Sequence, residues 1–595
     1  MRKLPFLALL LPMALSSQVQ AQTEGSSLQL EEIIVTATRR ETSLQDTPIA
    51  VTALSQTLME ELNINSPFAY ESIVPSLTYQ QSPNRLSIRG VGRFDNSLGT
   101  APGVAIYNDG IFTAEATSLS TQPINIDRTE ILRGPQGTLY GRNTTGGAVN
   151  IISRRPTSEF EADLRVKVGE EDLRQFAGVV SGPITDSLRY KLHYIDTERD
   201  GLLENTAGPD LNTQDSWYAE GQIEWDITDK LQLWAEYARF EYDRIPNSNW
   251  NQSEYNCETF WNGLTKNAQY QACANGFERV GANDPTKTAL NAPGKEELNN
   301  NNSWTARLSY EFEGAELSYL YGLVEYDYDI TTDTDGTQDT TPENQAFLSV
   351  GQYQEQSTHE LQLISNWDKD WNYVFGLYYF EDQNEQPFMI HSPDNPTFGQ
   401  STDLAGNYWD NPLGVSYFQS GKIDNESWAV FGEVDFPLAD QWTMALGARF
   451  SEDDFTGYER QIRYYNLYRE FGGADLPYAV DASVEPFAGD ASRYVNNGFD
   501  AKYEDDFSNT TGKVTVSYRP GDDTLLWGTV SNGYKMGGTR LGAMEQFFTA
   551  EAGVVEDGKF DQEDVISYEL GWKDSFMDNT LLTELVAYMY DYDDM

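Results

Sequence analysis

Residues 126–156 read IDRTEILRGPQGTLYGRNTTGGAVNIISRRP. Two apolar runs flank five glycines, Gly134, Gly137, Gly141, Gly146 and Gly147, with Pro135 among them. Glycine alone enters left-handed backbone conformations freely, so this composition demands a tightly turned chain between two strands. The spacing from Gly141 to Gly146 imitates a phosphate-binding loop. Gly147 and Ala148, however, stand where that loop needs its Lys and its Ser or Thr, so a nucleotide reading fails on chemistry.

Upstream, Arg2 and Lys3 precede an apolar stretch from Leu4 to Leu15, and Val19-Gln20-Ala21 supplies small residues at the two positions a signal peptidase inspects. The stretch is shorter than the roughly 20 residues a membrane helix needs, so residues 1–21 read as a signal peptide and the chain as exported. No later segment is long and apolar enough to be a membrane helix. A formal charge of -53, from 93 acidic and 40 basic residues, excludes nucleic-acid binding, which needs a basic face. Cys257 and Cys273, close together in a polar stretch of an exported chain, are expected to form a loop disulfide. His359-Glu360 begins a zinc-protease pattern, but Leu363 occupies the place of its second His, and neither a metal site nor a cofactor is expected.

From Phe160 onward, segments of about ten residues alternate large apolar with polar side chains. The clearest sets Trp217, Ala219, Gly221, Ile223, Trp225 and Ile227 on one face and Tyr218, Glu220, Gln222, Glu224 and Asp226 on the other. Aromatic residues make up 13% of the chain and recur at the ends of these runs, while mean hydropathy is -0.55. Alternation with an aromatic girdle predicts membrane-spanning strands. Short connections, such as Thr228 to Lys230 and Pro437 to Gln441, mostly alternate with long ones: Ile245 to Asn302, Thr331 to Thr358, Glu385 to Glu426 and Asp453 to Ser508. A barrel with turns on one side of a membrane and loops on the other needs that rhythm, and a soluble sandwich does not. The count is about fifteen strands, and the last run breaks off in mid-pattern at Tyr592-Asp593-Asp594-Met595. Plugged outer-membrane transporters have about 22, so the sequence reads as a fragment short of its C-terminal strands.

The opening stretch resembles the plug domain of TonB-dependent outer-membrane receptors. Leu86 to Gly92 and Val104 to Gly110 resemble central plug strands; Gly533 to Gly538 and Tyr568 to Lys573 resemble late barrel strands of the same family. Glu32, Ile33, Ile34, Val35, Thr36 and Ala37 look like the TonB box, whose β-branched residues suit strand addition to an energy transducer. The resemblance implies an all-β transmembrane barrel enclosing a mixed α+β plug. Its segments would be a signal peptide (1–21), box and linker (22–45), plug (46–156) and barrel (157–595).

It also implies a monomeric receptor of the Gram-negative outer membrane that is not an enzyme. Its partners would be TonB with ExbB and ExbD, membrane lipid and lipopolysaccharide, and its ligand a ferric siderophore. Other ligands of such receptors, carbohydrate or cobalamin, and a passive porin or docking role, are the alternatives. In the plug, Arg89-Gly90 and Arg133-Gly134 place arginines that need carboxylate partners once buried. Glu569, on the lumen parity of its strand, is one candidate; Glu130, within the plug, is the other. Ligand-contacting residues cannot be read from the sequence.

Overall fold

A computed structural model describes residues 33–62, 64, 67–81, 84–93, 98, 100–113, 126–246, 284, 286–291, 294–333, 347–367, 371–391, 401–402, 408–409, 415–463, 498–539, 559–577 and 580–593. Residues 1–21, Glu32, Cys257 and Cys273 lie outside this set.

The N-terminal part begins with β1 (Ile34–Val35) and β2 (Thr42–Ser43), an antiparallel pair. Then come β3 (Val51–Ser55), helix α1 (Gln56–Glu61), a hairpin of β4 (Leu77–Gln81) and β5 (Asn84–Ile88) extended by β6 (Val91–Gly92), β7 (Val104–Asn108), β8 (Ile111–Thr113), β9 (Ile126–Arg133) and β10 (Gly147–Ser153). The quoted stretch is thus β9, the glycine turn and β10. It forms the middle of a five-stranded sheet of order β3-β9-β10-β7-β8, in which β10 pairs antiparallel with β9 and parallel with β7. Both faces are covered, which is why these strands read as continuous apolar runs. Ile106, Ile131 and Val149 pack on one side with Leu54, Met59 and Tyr70; Ala105, Leu132 and Ala148 pack on the other with Val35, Ala37 and the wall residues Phe380 and Phe431.

The remainder is one fifteen-stranded antiparallel sheet running from Glu161–Val168 to Leu581–Asp593, each long strand paired with the next in chain order. Short turns, such as those between Thr228 and Leu231, Phe312 and Ala315, and Ala439 and Trp442, all fall on one rim. The opposite rim carries the long connections. The side-chain distribution is inside out. Ile223, Trp225, Trp304, Leu308, Trp428 and Val430 are exposed on the outer face, while Lys191, Glu220, Gln222, Glu360, Asp453 and Lys513 are buried on the inner one. Only a lipid-facing barrel around a filled lumen satisfies both. Among the described residues no helix is long and apolar enough to cross a membrane.

The strands outrun the apolar pattern at the long-loop rim. Where loops were expected, strand resumes at Lys295, Phe347, Val415 and Gly498, and the strand from Trp442 continues to Arg463. These extensions are rich in Asn, Gln, Asp and Glu. Ladder hydrogen bonds need only a neighbouring strand, so the sheet persists beyond the apolar band, where side chains meet water and period two loses its contrast.

Candidate coupling site between plug and barrel

Of the residues read above as a TonB box, Ile33 to Ala37 are described, and all but Ile34 are buried or half-buried. Val35 and Ala37 are fully buried, and the Thr36 amide donates to Glu130 Oε1 at 2.7 Å while its hydroxyl donates to the same oxygen at 3.1 Å. Glu130 is itself buried on β9, where Arg128 Nε holds it at 2.8 Å. Tyr140, in the glycine turn, donates its hydroxyl to the Thr36 carbonyl at 3.5 Å, and the Arg39 guanidinium lies 4.5 Å from its ring centroid. Burial pushes the Tyr107 and Tyr140 phenols far above their ordinary range, so both stay neutral donors at any physiological pH.

The segment after the box is fastened to the short-turn rim of the barrel. Arg40 pairs with Asp435, Asp46 with Arg519, and Lys573 Nζ donates to the carbonyls of Leu44 and Thr47, both at 2.8 Å. Arg39 faces Glu360 at 3.7 Å. The segment read as the box therefore leads directly into contacts with the rim that carries the turns.

Arg89 and Gly90 form the two-residue turn of the β5–β6 hairpin, with φ of 55° and 80°. Left-handed conformation at both central positions is the geometry of a tight hairpin turn, and it projects Arg89 from the plug toward the wall. There Arg89 Nη2 lies 2.9 Å from Glu569, Nη1 donates to the Tyr590 hydroxyl at 2.9 Å, and the guanidinium stacks 4.0 Å from the Tyr588 centroid. Gly134, at φ 105°, leaves room for this, since a Cβ there would stand 2.8 Å from Arg89 Nη1. Arg133 pairs with Glu584 of the wall and not with Glu130. The cause is strand parity: residues three apart on β9 point to opposite faces, so Glu130 turns to the box and Arg133 to the barrel.

A further contact had no counterpart in the sequence reading. Arg142 Nη1 donates to Asp453 at 2.8 Å, and the same carboxylate accepts from Tyr534 at 2.7 Å and Ser427 at 2.6 Å. Asn143 N donates to the Tyr534 carbonyl at 3.0 Å, and Thr511 Oγ1 to the Gly137 carbonyl at 3.0 Å. The signal was present as inward parity of Asp453 between the outward Glu452 and Asp454, but parity alone does not name a partner. The arrangement offers a short strand, Ile34–Val35, paired with β2, and a plug held to its wall by largely buried ion pairs, each costing about 3–5 kcal/mol to break from one side.

Residues 43–148 match the family described as TonB-dependent Receptor Plug Domain, and residues 234–595 match TonB dependent receptor-like, beta-barrel. The chain is 25% identical to the ferric-pyoverdine 358 receptor of Pseudomonas putida across 96% of its own length and 62% of that protein's. It is 30% identical to the pesticin receptor of Yersinia pestis across 31% of its own length and 26% of that protein's. In fold it is similar to the ferric yersiniabactin uptake receptor of Yersinia pestis, at a TM-score of 0.69 and 18% identity, covering 92% of this chain and 73% of that one. The alcaligin outer membrane receptor of Bordetella pertussis gives a TM-score of 0.60 at 14% identity, covering 97% and 76%. With its plug and most of its barrel matched in chain order, the chain belongs to the TonB-dependent receptors of the outer membrane.

Proposed function

We propose that the protein is an outer-membrane receptor that takes up a ferric siderophore by active transport energised through TonB, with ExbB and ExbD behind it in the inner membrane. The observation that carries this reading is the box. Ile34 and Val35 form a short β-strand with Val35 buried and Ile34 exposed, paired with β2 and followed by Thr36, which Glu130 and Tyr140 hold. Such a strand can exchange its present partner, β2, for a strand of another protein, where backbone hydrogen bonds supply the affinity. Pulling on it transmits force to a plug that otherwise fills the lumen. No bond of the ligand is made or broken, so the protein acts as a transporter. The siderophore class is supported by what the relatives are named for, ferric pyoverdine and ferrioxamine B among them. The outward apolar face meets membrane lipid, and its upper edge meets lipopolysaccharide.

The test is growth of a strain carrying the full-length gene, with and without residues 32–37, on ferric siderophores, cobalamin and oligosaccharides as limiting nutrients. Growth on one ferric siderophore that is lost with the box supports the reading. Growth indifferent to the box refutes energised uptake, and box-dependent growth on another nutrient refutes the ligand class.

A further inference from the structure

We propose that Asp382, Asn384 and Asn425 form a subsite for a protonated amine on the inner wall above the plug, so that the ferric siderophore taken up is one that carries an alkylammonium arm; this rests on the receptor reading above. Asp382 and Asn384 belong to the strand Asn372–His391 and Asn425 to its neighbour Val415–Ala439. Asp382 lies opposite Asn425 on one side and opposite Gln356 on the other. Gln356 Nε2 in turn donates to the Phe112 carbonyl of the plug. Asn384 is two residues farther from the short turn than Asp382, so the group occupies the first tier of wall above that plug contact, toward the long loops.

The group consists of acceptors that the fold leaves unanswered. Asp382, Asn384 and Asn425 are 5%, 4% and 8% exposed. Asp382 accepts from Gln354 Nε2 at 2.6 Å and from Asn425 Nδ2 at 3.5 Å. The second contact fixes which way the Asn425 amide points, because an ionised carboxylate only accepts. Asn425 Oδ1 is thereby turned away from Asp382, and neither it nor Asn384 Oδ1 receives a hydrogen bond from any described residue. A buried acceptor without a donor costs free energy, and here two stand beside a carboxylate. Arg142 lies within the field of Asp382 but gives its Nη1 hydrogen bond to Asp453 at 2.8 Å.

Three acceptors and one negative charge match an ammonium, which offers three N–H donors and no acceptor. An anionic group would face the carboxylate without a donor to offer, and a hydroxyl would donate one bond and leave the charge unanswered. The surroundings suit the arm as well as its end. Ile423, opposite Asn384, packs with Leu98 of the plug and gives methylenes an apolar surface. On the other flank Tyr326 stands opposite Gln354, and its ring stacks with that of Tyr328 at 6.2 Å, presenting aromatic faces of the kind that attract cations. A formal charge of -53 draws cationic ligands toward this end of the lumen.

The probe is n-pentylammonium, with N-pentylacetamide as its uncharged counterpart, each read by saturation-transfer NMR against the full-length receptor in nanodiscs. The ammonium should bind and the acetamide should not. Asp382→Asn, which keeps the shape and removes the charge, should weaken binding by about 10- to 100-fold, the span of one hydrogen bond to a charged group. Should that variant fail to assemble, Asn384→Leu, which removes one acceptor, carries the same expectation. Glu385→Gln, one residue along the strand and on its other face, should leave binding unchanged.

Equal binding of the two probes, binding of neither, or an undiminished affinity in Asp382→Asn would each overturn the subsite. Sodium ions that displace pentylammonium at a lower concentration than ethylammonium does would make the occupant an inorganic cation and overturn it as well. The growth test above is independent. Box-dependent growth on a ferric siderophore, with no binding of pentylammonium, sinks the amine subsite alone; binding of pentylammonium with box-indifferent growth sinks the transport reading and leaves the subsite standing.

Discussion

Replacing Glu130 by Ala should release the box without unfolding the plug. Glu130 Oε1 accepts from the Thr36 amide at 2.7 Å and the Thr36 hydroxyl at 3.1 Å, and both bonds end on a buried carboxylate. Hydrogen bonds to charged groups contribute about 1.5–3 kcal/mol each; taking the lower figure for both gives roughly 3 kcal/mol of docking free energy. At 1.4 kcal/mol per factor of ten, the ratio of hidden to free box falls on the order of a hundredfold. The strand that carries the residue should survive, because Arg128 keeps Asp127 as a partner and Ile131 and Leu132 keep their packing. Amide hydrogen exchange across residues 33–44 in nanodiscs, read by mass spectrometry, reports the free population directly. Exchange there should speed up by about two orders of magnitude in Glu130→Ala and by less in Glu130→Gln, which retains one acceptor. Unchanged exchange in Glu130→Ala would refute the argument that this carboxylate hides the box.

Other consequences follow from the same contacts. Arg89→Met strands the Glu569 carboxylate in the lumen wall and should weaken plug seating by about 3–5 kcal/mol, seen as trypsin cleavage of the plug at protease levels that spare the unsubstituted protein. Gly141→Ala forces a side chain into a φ of 93° and against Arg449, and should cost about 1–2 kcal/mol of stability, read as a lowered thermal midpoint. Leu308→Arg puts a charge on the lipid face and should cost about 2–4 kcal/mol near mid-membrane, measured as the yield of folded barrel in liposomes. By contrast, the same substitution at an exposed position of the outer rim, such as Glu504, should leave the yield unchanged.

The barrel was legible because its side chains obey one rule: a period of two in which Ile223 and Trp225 turn out and Gln222 and Glu224 turn in. Where that rule lost contrast, in the polar stretches Lys295 to Asn301 and Phe347 to Gln356, strand was taken for loop, although the ladder continues. The site was legible only in part. Arg89 stands out in the sequence as an arginine in an apolar plug, but its ring partners Tyr588 and Tyr590 come from the opposite end of the chain, and nothing local names them. Parity on β9 was available and separates Glu130 from Arg133, so their non-pairing follows from strand geometry. That the segment read as the box is held against the plug was beyond sequence reading, because Thr36 meets Glu130 and Tyr140 only after the whole plug has folded.

The central claim is that a strand at the short-turn rim, once freed, drives uptake through TonB. Uptake of a radiolabelled ferric siderophore by cells carrying Val35→Pro tests it most directly, because proline removes a ladder amide and cannot complete an added strand. Surface binding at the level of the unsubstituted receptor, with no energy-dependent accumulation inside the cell, is the predicted result. Accumulation at the unsubstituted rate would contradict the account.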